Sequence, residues 1–105
     1  MLTQTAAIEQ VKLFLTECHN RLPLHIDKAV LFGSVATGRN SEDSDIDLAL
    51  FSSSFTNNIL NNLDLIAKVN IHFPDIEVHA YPTERYGQDG MLMDEIRRTG
   101  IEIAA

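Results

Sequence analysis

The chain has 105 residues and a formal net charge of −7, with eight Lys and Arg against fifteen Asp and Glu. This length predicts one domain around one core, and the acidic balance argues against a cationic face for direct nucleic-acid binding. Cys18 is the only cysteine, which excludes an intrachain disulfide and a thiolate zinc site. No run reaches the roughly eighteen apolar residues of a membrane span, and no basic-then-apolar leader opens the chain, so a cytoplasmic protein is expected.

Residues Thr3 to about His19 place Ile8, Val11, Phe14, Leu15 and Cys18 at helical spacing, with Thr3 or Thr5 as N-cap. Leu22-Pro23 ends that helix, and Lys28 to Phe32 is a short apolar run that reads as a buried strand stopped by Gly33. Ser34 to Gly38 has room for a turn or two of helix, with Gly38 as a positive-φ cap. After a polar loop, Asp45 to Phe51 alternates: Ile46, Leu48 and Leu50 define one face, and Asp45, Asp47 and Ala49 the other. Thr56 to about His72 predicts a long helix with Ile59, Leu60, Leu63, Ile66 and Ala67 on its apolar stripe. Ile76, Val78 and Ala80 alternate with Glu77, His79 and Tyr81 in a third strand that Pro82 ends. Thr83 to Gly90 reads as loop, and Met91 to Thr99 as a helix with Arg97 and Arg98 in its last turn and Gly100 as its cap. Ile101 to Ile103 adds a short final strand. The order predicts an α/β (α+β) domain over residues 1–105, with helices flanking a small mixed sheet of three to four strands.

Two partial signatures overlap between Gly33 and Leu48. Gly33 and Gly38 have P-loop spacing, but Arg39 and Asn40 follow where Lys and a hydroxyl residue are required. Asp43, Asp45 and Asp47 match the first ligands of a calcium loop, but Leu48 stands where Gly is needed and Ser54 where Glu is needed. Neither motif survives alone. Together the halves make one site. Gly33-Ser34 follows a strand and opens a short helix, so backbone N–H groups and the Ser34 hydroxyl face an anion. Ten residues later, Asp45 and Asp47 share a strand face, roughly 6–7 Å apart along the backbone. Such a pair suits Mg²⁺, which takes a few carboxylates and completes its shell with waters and phosphates.

Gly-Ser, ten residues, then Asp-x-Asp resembles the nucleotidyltransferase superfamily that includes DNA polymerase beta and kanamycin nucleotidyltransferase. The short chain is similar to its minimal (MNT) branch, and the order of elements extends the resemblance over nearly the whole length. The resemblance implies a Mg²⁺-dependent transfer of AMP from ATP to a hydroxyl. Gly33, Ser34 and the nearby Arg39 would bind the nucleotide. Asp45 and Asp47 would hold two Mg²⁺ ions, and a third carboxylate on a neighbouring strand would bind the catalytic ion and take a proton. Glu77, in mid-strand on the face opposite the core, is the first choice for that role, and Asp75, beside Pro74, is the second. Thr37 departs from the family, many of whose minimal members carry Arg there. His79 shares the predicted face of Glu77 and reads as an ordinary strand histidine. Glu42 and Asp43 read as solvated contributors to the local negative field.

The length leaves little room for an acceptor domain, so an oligomer or a hetero-complex is expected. The family resemblance implies a helical HEPN toxin as partner, neutralised by adding AMP to one of its tyrosines. Two other readings are an antitoxin that acts by stoichiometric binding without catalysis, and the catalytic subunit of a two-subunit small-molecule nucleotidyltransferase.

Overall fold

The structure is a computed structural model that describes residues 2–41 and 44–104. Glu42 and Asp43, expected to add to the field of the site, lie outside the described residues. Helix α1 (Gln4–Arg21) starts at Thr3, whose hydroxyl accepts the Ala6 N–H at 3.0 Å. It buries Ala7, Val11, Phe14, Leu15 and Cys18, the expected stripe with Ala7 in place of Ile8. Strand β1 (Lys28–Phe32) leads straight into α2 (Gly33–Thr37), which ends on Gly38 in the left-handed conformation. Strand β2 (Ile46–Ser52), helix α3 (Ile59–Asn70) and strand β3 (Ile76–Pro82) follow. A 3₁₀ turn (Thr83–Gly87), helix α4 (Met91–Thr99) and strand β4 (Ile101–Glu102) complete the order.

The four strands form one mixed sheet in the order β3-β2-β1-β4. Strand β1 runs antiparallel to both β2 and β4, and β2 runs parallel to β3 through the α3 crossover. Alternate strand residues point to opposite faces. Ala29, Leu31, Ile46, Leu48, Leu50, Ile76, Val78 and Ala80 face α1 and α3 in the main core. The other face carries a smaller core of Val30, Phe32, Ala49 and Phe51, closed by Met93 and Ile96 of α4. Among the described residues, no helix is long and apolar enough to cross a membrane.

Three local expectations change. Strand β2 begins at Ile46 and runs through Ser52, which is buried because its hydroxyl donates to the His25 carbonyl at 2.6 Å and accepts the Ser54 N–H. Helix α3 buries Asn62, Ile66 and Val69 and leaves Ile59 and Leu60 exposed. The turn facing inward is selected by Asn62, whose amide donates to the carbonyls of Thr56 (2.7 Å) and Ala80 (3.1 Å) and accepts the Thr56 N–H (2.9 Å). The segment after Pro82, expected to be loop, forms the 3₁₀ turn. Tyr86 packs edge-on against Phe51, and Arg97 donates to the Tyr86 and Gln88 carbonyls, which fixes it there.

Candidate active site

The antiparallel register of β1 and β2 sets Phe32 opposite Asp47. Gly33, the next residue, therefore lies against the Asp47 side chain. Its φ of 78° is left-handed, and a Cβ there would collide with Oδ2 and sit 3.2 Å from Cγ. Glycine is required twice at this position, for backbone conformation and for space. The turn from β1 into α2 thus brings its backbone directly onto the carboxylate, and the two halves of the sequence motif meet at one point.

The parallel register of β2 and β3 places Glu77 beside Asp47 and His79 beside Ala49. Ala49 is small, which leaves the His79 ring room to lean across β2 and meet Phe32 edge-on at 5.0 Å. His79 Nε2 lies 3.4 Å from Asp47 Oδ1 and 3.9 Å from Glu77 Oε1. One ligand atom from each of Asp47, Glu77 and His79 falls within 4.8 Å of the others. Asp47 and His79 are about equally half-buried, while Glu77 is more open. Two carboxylates this close repel, and a cation between them offsets that repulsion. The donor set fits a divalent ion: two oxygens and one nitrogen converge, and the Glu77 side chain is exposed.

Ser34 is partly exposed at the start of α2, and its hydroxyl donates to Ser44 Oγ at 3.4 Å. Ser44 Oγ also accepts the Ser41 N–H at 2.9 Å. A chain of hydroxyls thus ties the helix start to the loop that enters β2.

Residues 11–102 match the nucleotidyltransferase domain family NTP_transf_2. The chain belongs to that family. The fold agrees with it. A proposed nucleotidyltransferase from Sulfolobus solfataricus superposes with a TM-score of 0.70 at 15% identity, over 94% of this chain and 80% of that one. A toxin–antitoxin structure with AMP-PNP gives 0.60 at 18% identity, over 90% and 70% of the two chains. A mutant of the toxin–antitoxin pair MntA–HpeT gives 0.55 at 17% identity, over 96% and 72%. No curated protein matches the chain.

The remaining candidate residues of this nucleotidyltransferase domain occupy distinct places. Asp45 is exposed immediately before β2 and is outside the group formed by Asp47, Glu77 and His79. Asp75 is exposed in the turn before β3, where its backbone carbonyl accepts the Ile46 N–H at 2.8 Å. Thr37 turns its hydroxyl back to the carbonyls of Gly33 and Ser34, both at 3.3 Å. Arg39 is exposed, and its Nε donates to Thr37 Oγ1 at 3.2 Å. His79, which reads from sequence as an ordinary strand histidine, joins the carboxylates, and Ser44 joins the hydroxyls at the start of α2. The i, i+2 spacing of Glu77 and His79 was the signal for the first, since it puts both on one strand face. Nothing in the sequence singles out Ser44.

Proposed function

We propose that this chain transfers AMP from ATP to a hydroxyl in a Mg²⁺-dependent reaction. The observation that carries the reading is the approach of Gly33 to Asp47, which joins an N–H-bearing turn and a carboxylate pair into a single site. The Gly33–Ser34 N–H groups and the Ser34 hydroxyl would bind the β- and γ-phosphates. Arg39, a short reach beyond α2, would add charge to them. Asp45, Asp47 and Glu77 are the carboxylates that would hold two Mg²⁺ ions. When bound, the ions supply charge neutralisation and Lewis acidity at the phosphates. The Glu77 carboxylate would accept the proton of the attacking hydroxyl. The new bond joins that oxygen to the α-phosphorus, the bond to the bridging oxygen breaks, and pyrophosphate leaves.

The acceptor we infer is a tyrosine of a helical HEPN-type toxin, in a hetero-complex inside the cytoplasm. Two of the similar folds come from toxin–antitoxin structures, one of them with an ATP analogue, which supports a toxin partner and a nucleotide. Incubation with α-labelled ATP, Mg²⁺ and the candidate toxin should label the toxin. Asp47→Asn combined with Glu77→Gln should reduce labelling on the order of a hundredfold or more, because electrostatic stabilisation carries most of such chemistry. Equal labelling by that variant would overturn the reading. Toxin neutralisation retained by an unlabelling variant would establish the stoichiometric alternative.

A further inference from the structure

An imidazole, that of His79, joins the carboxylates of Asp47 and Glu77 in the group that converges on this face. We propose that His79 Nε2 is a direct metal ligand, and that it makes this site favour Mn²⁺ over Mg²⁺ relative to an all-oxygen set. The inference rests on the reading of this face as a cation site and specifies which cation it takes.

Geometry and chemistry both support the assignment. His79 Nε2 faces both carboxylates, at 3.4 Å and 3.9 Å. Nε2 carries at most one proton, so it cannot make good hydrogen bonds to both oxygens. A cation placed among the three atoms can be shared by all of them. Adjacent ligands about 2.1 Å from an octahedral ion stand roughly 3 Å apart, so the two His79 separations need to close by about 1 Å or less, and the separation between the two carboxylates, within 4.8 Å, by about 2 Å or less. The ring is already placed for this, because its edge-on contact with Phe32 holds it with Nε2 near both carboxylates. Imidazole nitrogen binds first-row transition ions, Mn²⁺ the weakest of them, more readily than it binds Mg²⁺, which prefers oxygen and releases its waters reluctantly. One nitrogen in an otherwise oxygen site therefore raises Mn²⁺ affinity more than Mg²⁺ affinity.

The test uses the full chain and the metals alone. Calorimetry measures Mn²⁺ and Mg²⁺ binding to the native protein, to His79→Phe, which keeps the ring against Phe32, and to His79→Gln, which offers an oxygen instead. Both variants should lower the ratio of Mn²⁺ to Mg²⁺ affinity, by about tenfold if losing the nitrogen ligand matters as much as losing an outer-shell partner does. Electron spin echo spectra of the Mn²⁺-loaded native protein should carry nitrogen modulation that both variants lack. Mn²⁺ binding without nitrogen modulation, or an unchanged affinity ratio in both variants, would overturn the role of His79 and leave the carboxylate site intact. If the native chain binds neither ion, or if Asp47→Asn with Glu77→Gln binds Mn²⁺ as well as the native chain, the cation site itself fails.

Discussion

The two faces of the sheet are built from the same strands and do different work. On the face toward α1 and α3, Ile46, Leu48 and Leu50 of β2 are fully buried among apolar neighbours. On the other face, the alternate residues grade from Asp47 through Ala49 to Phe51, and in β3 from Glu77 through His79 to Tyr81. Helix α4 and the 3₁₀ turn cover the Phe51 end, where Phe51 meets Tyr81 at 5.7 Å and Tyr86 at 5.3 Å. The Asp47 end stays accessible. A period-two strand thus gives one set of positions to the main core and leaves part of the other set open. It also explains how so short a chain accommodates a site: the second face is only half closed.

The largest effect that would sharpen this contrast is the loss of a main-core aromatic. Phe14 is fully buried and packs edge-on against Phe73 at 5.4 Å. Phe14→Ala should cost about 3–5 kcal/mol in urea unfolding, a large part of what a small domain has. Asp47→Asn, on the open face, should cost far less, because it opens no cavity and relieves the repulsion from Glu77, while removing transfer activity. Comparable destabilisation by the two substitutions would end the division of labour between the faces.

Next in size is the turn from β1 into α2, where Gly33 meets Asp47. Gly33 and Gly38 both have left-handed φ, at 78° and 75°. A Cβ on Gly33 strikes Asp47, whereas one on Gly38 meets nothing within 4 Å. Gly38→Ala should therefore show conformational strain alone, about 1–2 kcal/mol. Gly33→Ala should cost more and should also weaken metal binding by displacing the carboxylate. Calorimetric metal titrations of the two variants compare these costs, and equal metal affinity in both would remove the argument that close approach defines the site.

A smaller effect separates the faces by pH. Burial, assisted by the Glu17 charge, pushes the Cys18 thiol up to about 12, from 9.0 when free. The folded state holds the thiol proton more tightly than the unfolded state, so this contribution is complete below pH 9 and is lost as pH rises from 9 toward 12. Unfolding measured at pH 9 and pH 10 should show the native chain losing about 1 kcal/mol more than Cys18→Ala, since one pKa unit corresponds to 1.36 kcal/mol. Identical pH slopes would mean that the thiol is not held in the main core.

Much of this was legible in the sequence because it rests on local rules. The alternation of β2 and β3, the Thr3 cap and the Met91–Thr99 helix follow from period and capping chemistry. The joining of Gly33 to Asp47 was legible as a motif, since one strand–turn–strand passage carries both halves. What escaped depends on contacts distant in sequence. Asn62 faces inward because Ala80, eighteen residues away, offers it a carbonyl. His79 joins the carboxylates because the register puts Ala49 beside it and leaves the ring space. The second face is half closed because α4 returns over it with Met93 and Ile96. No periodicity within one element encodes any of these.

The smallest effect, at Leu60, tests the outer side of α3, where periodicity predicts burial and Asn62 redirects it. Leu60 is 74% exposed, although it belongs to the stripe that the sequence marks as core. An apolar side chain already in water has little transfer energy to lose. Leu60→Gln should change unfolding stability by less than about 0.5 kcal/mol, because surface substitutions away from caps and cavities seldom do more. Asn62→Leu should be harmful despite its apolar gain. It leaves the Thr56 N–H without its acceptor, and the Thr56 and Ala80 carbonyls without the donors they have now. An unsatisfied buried group costs about 1–3 kcal/mol. If Leu60→Gln proves the more destabilising of the two, α3 presents its apolar stripe to the core after all, and the inward role of Asn62 is wrong.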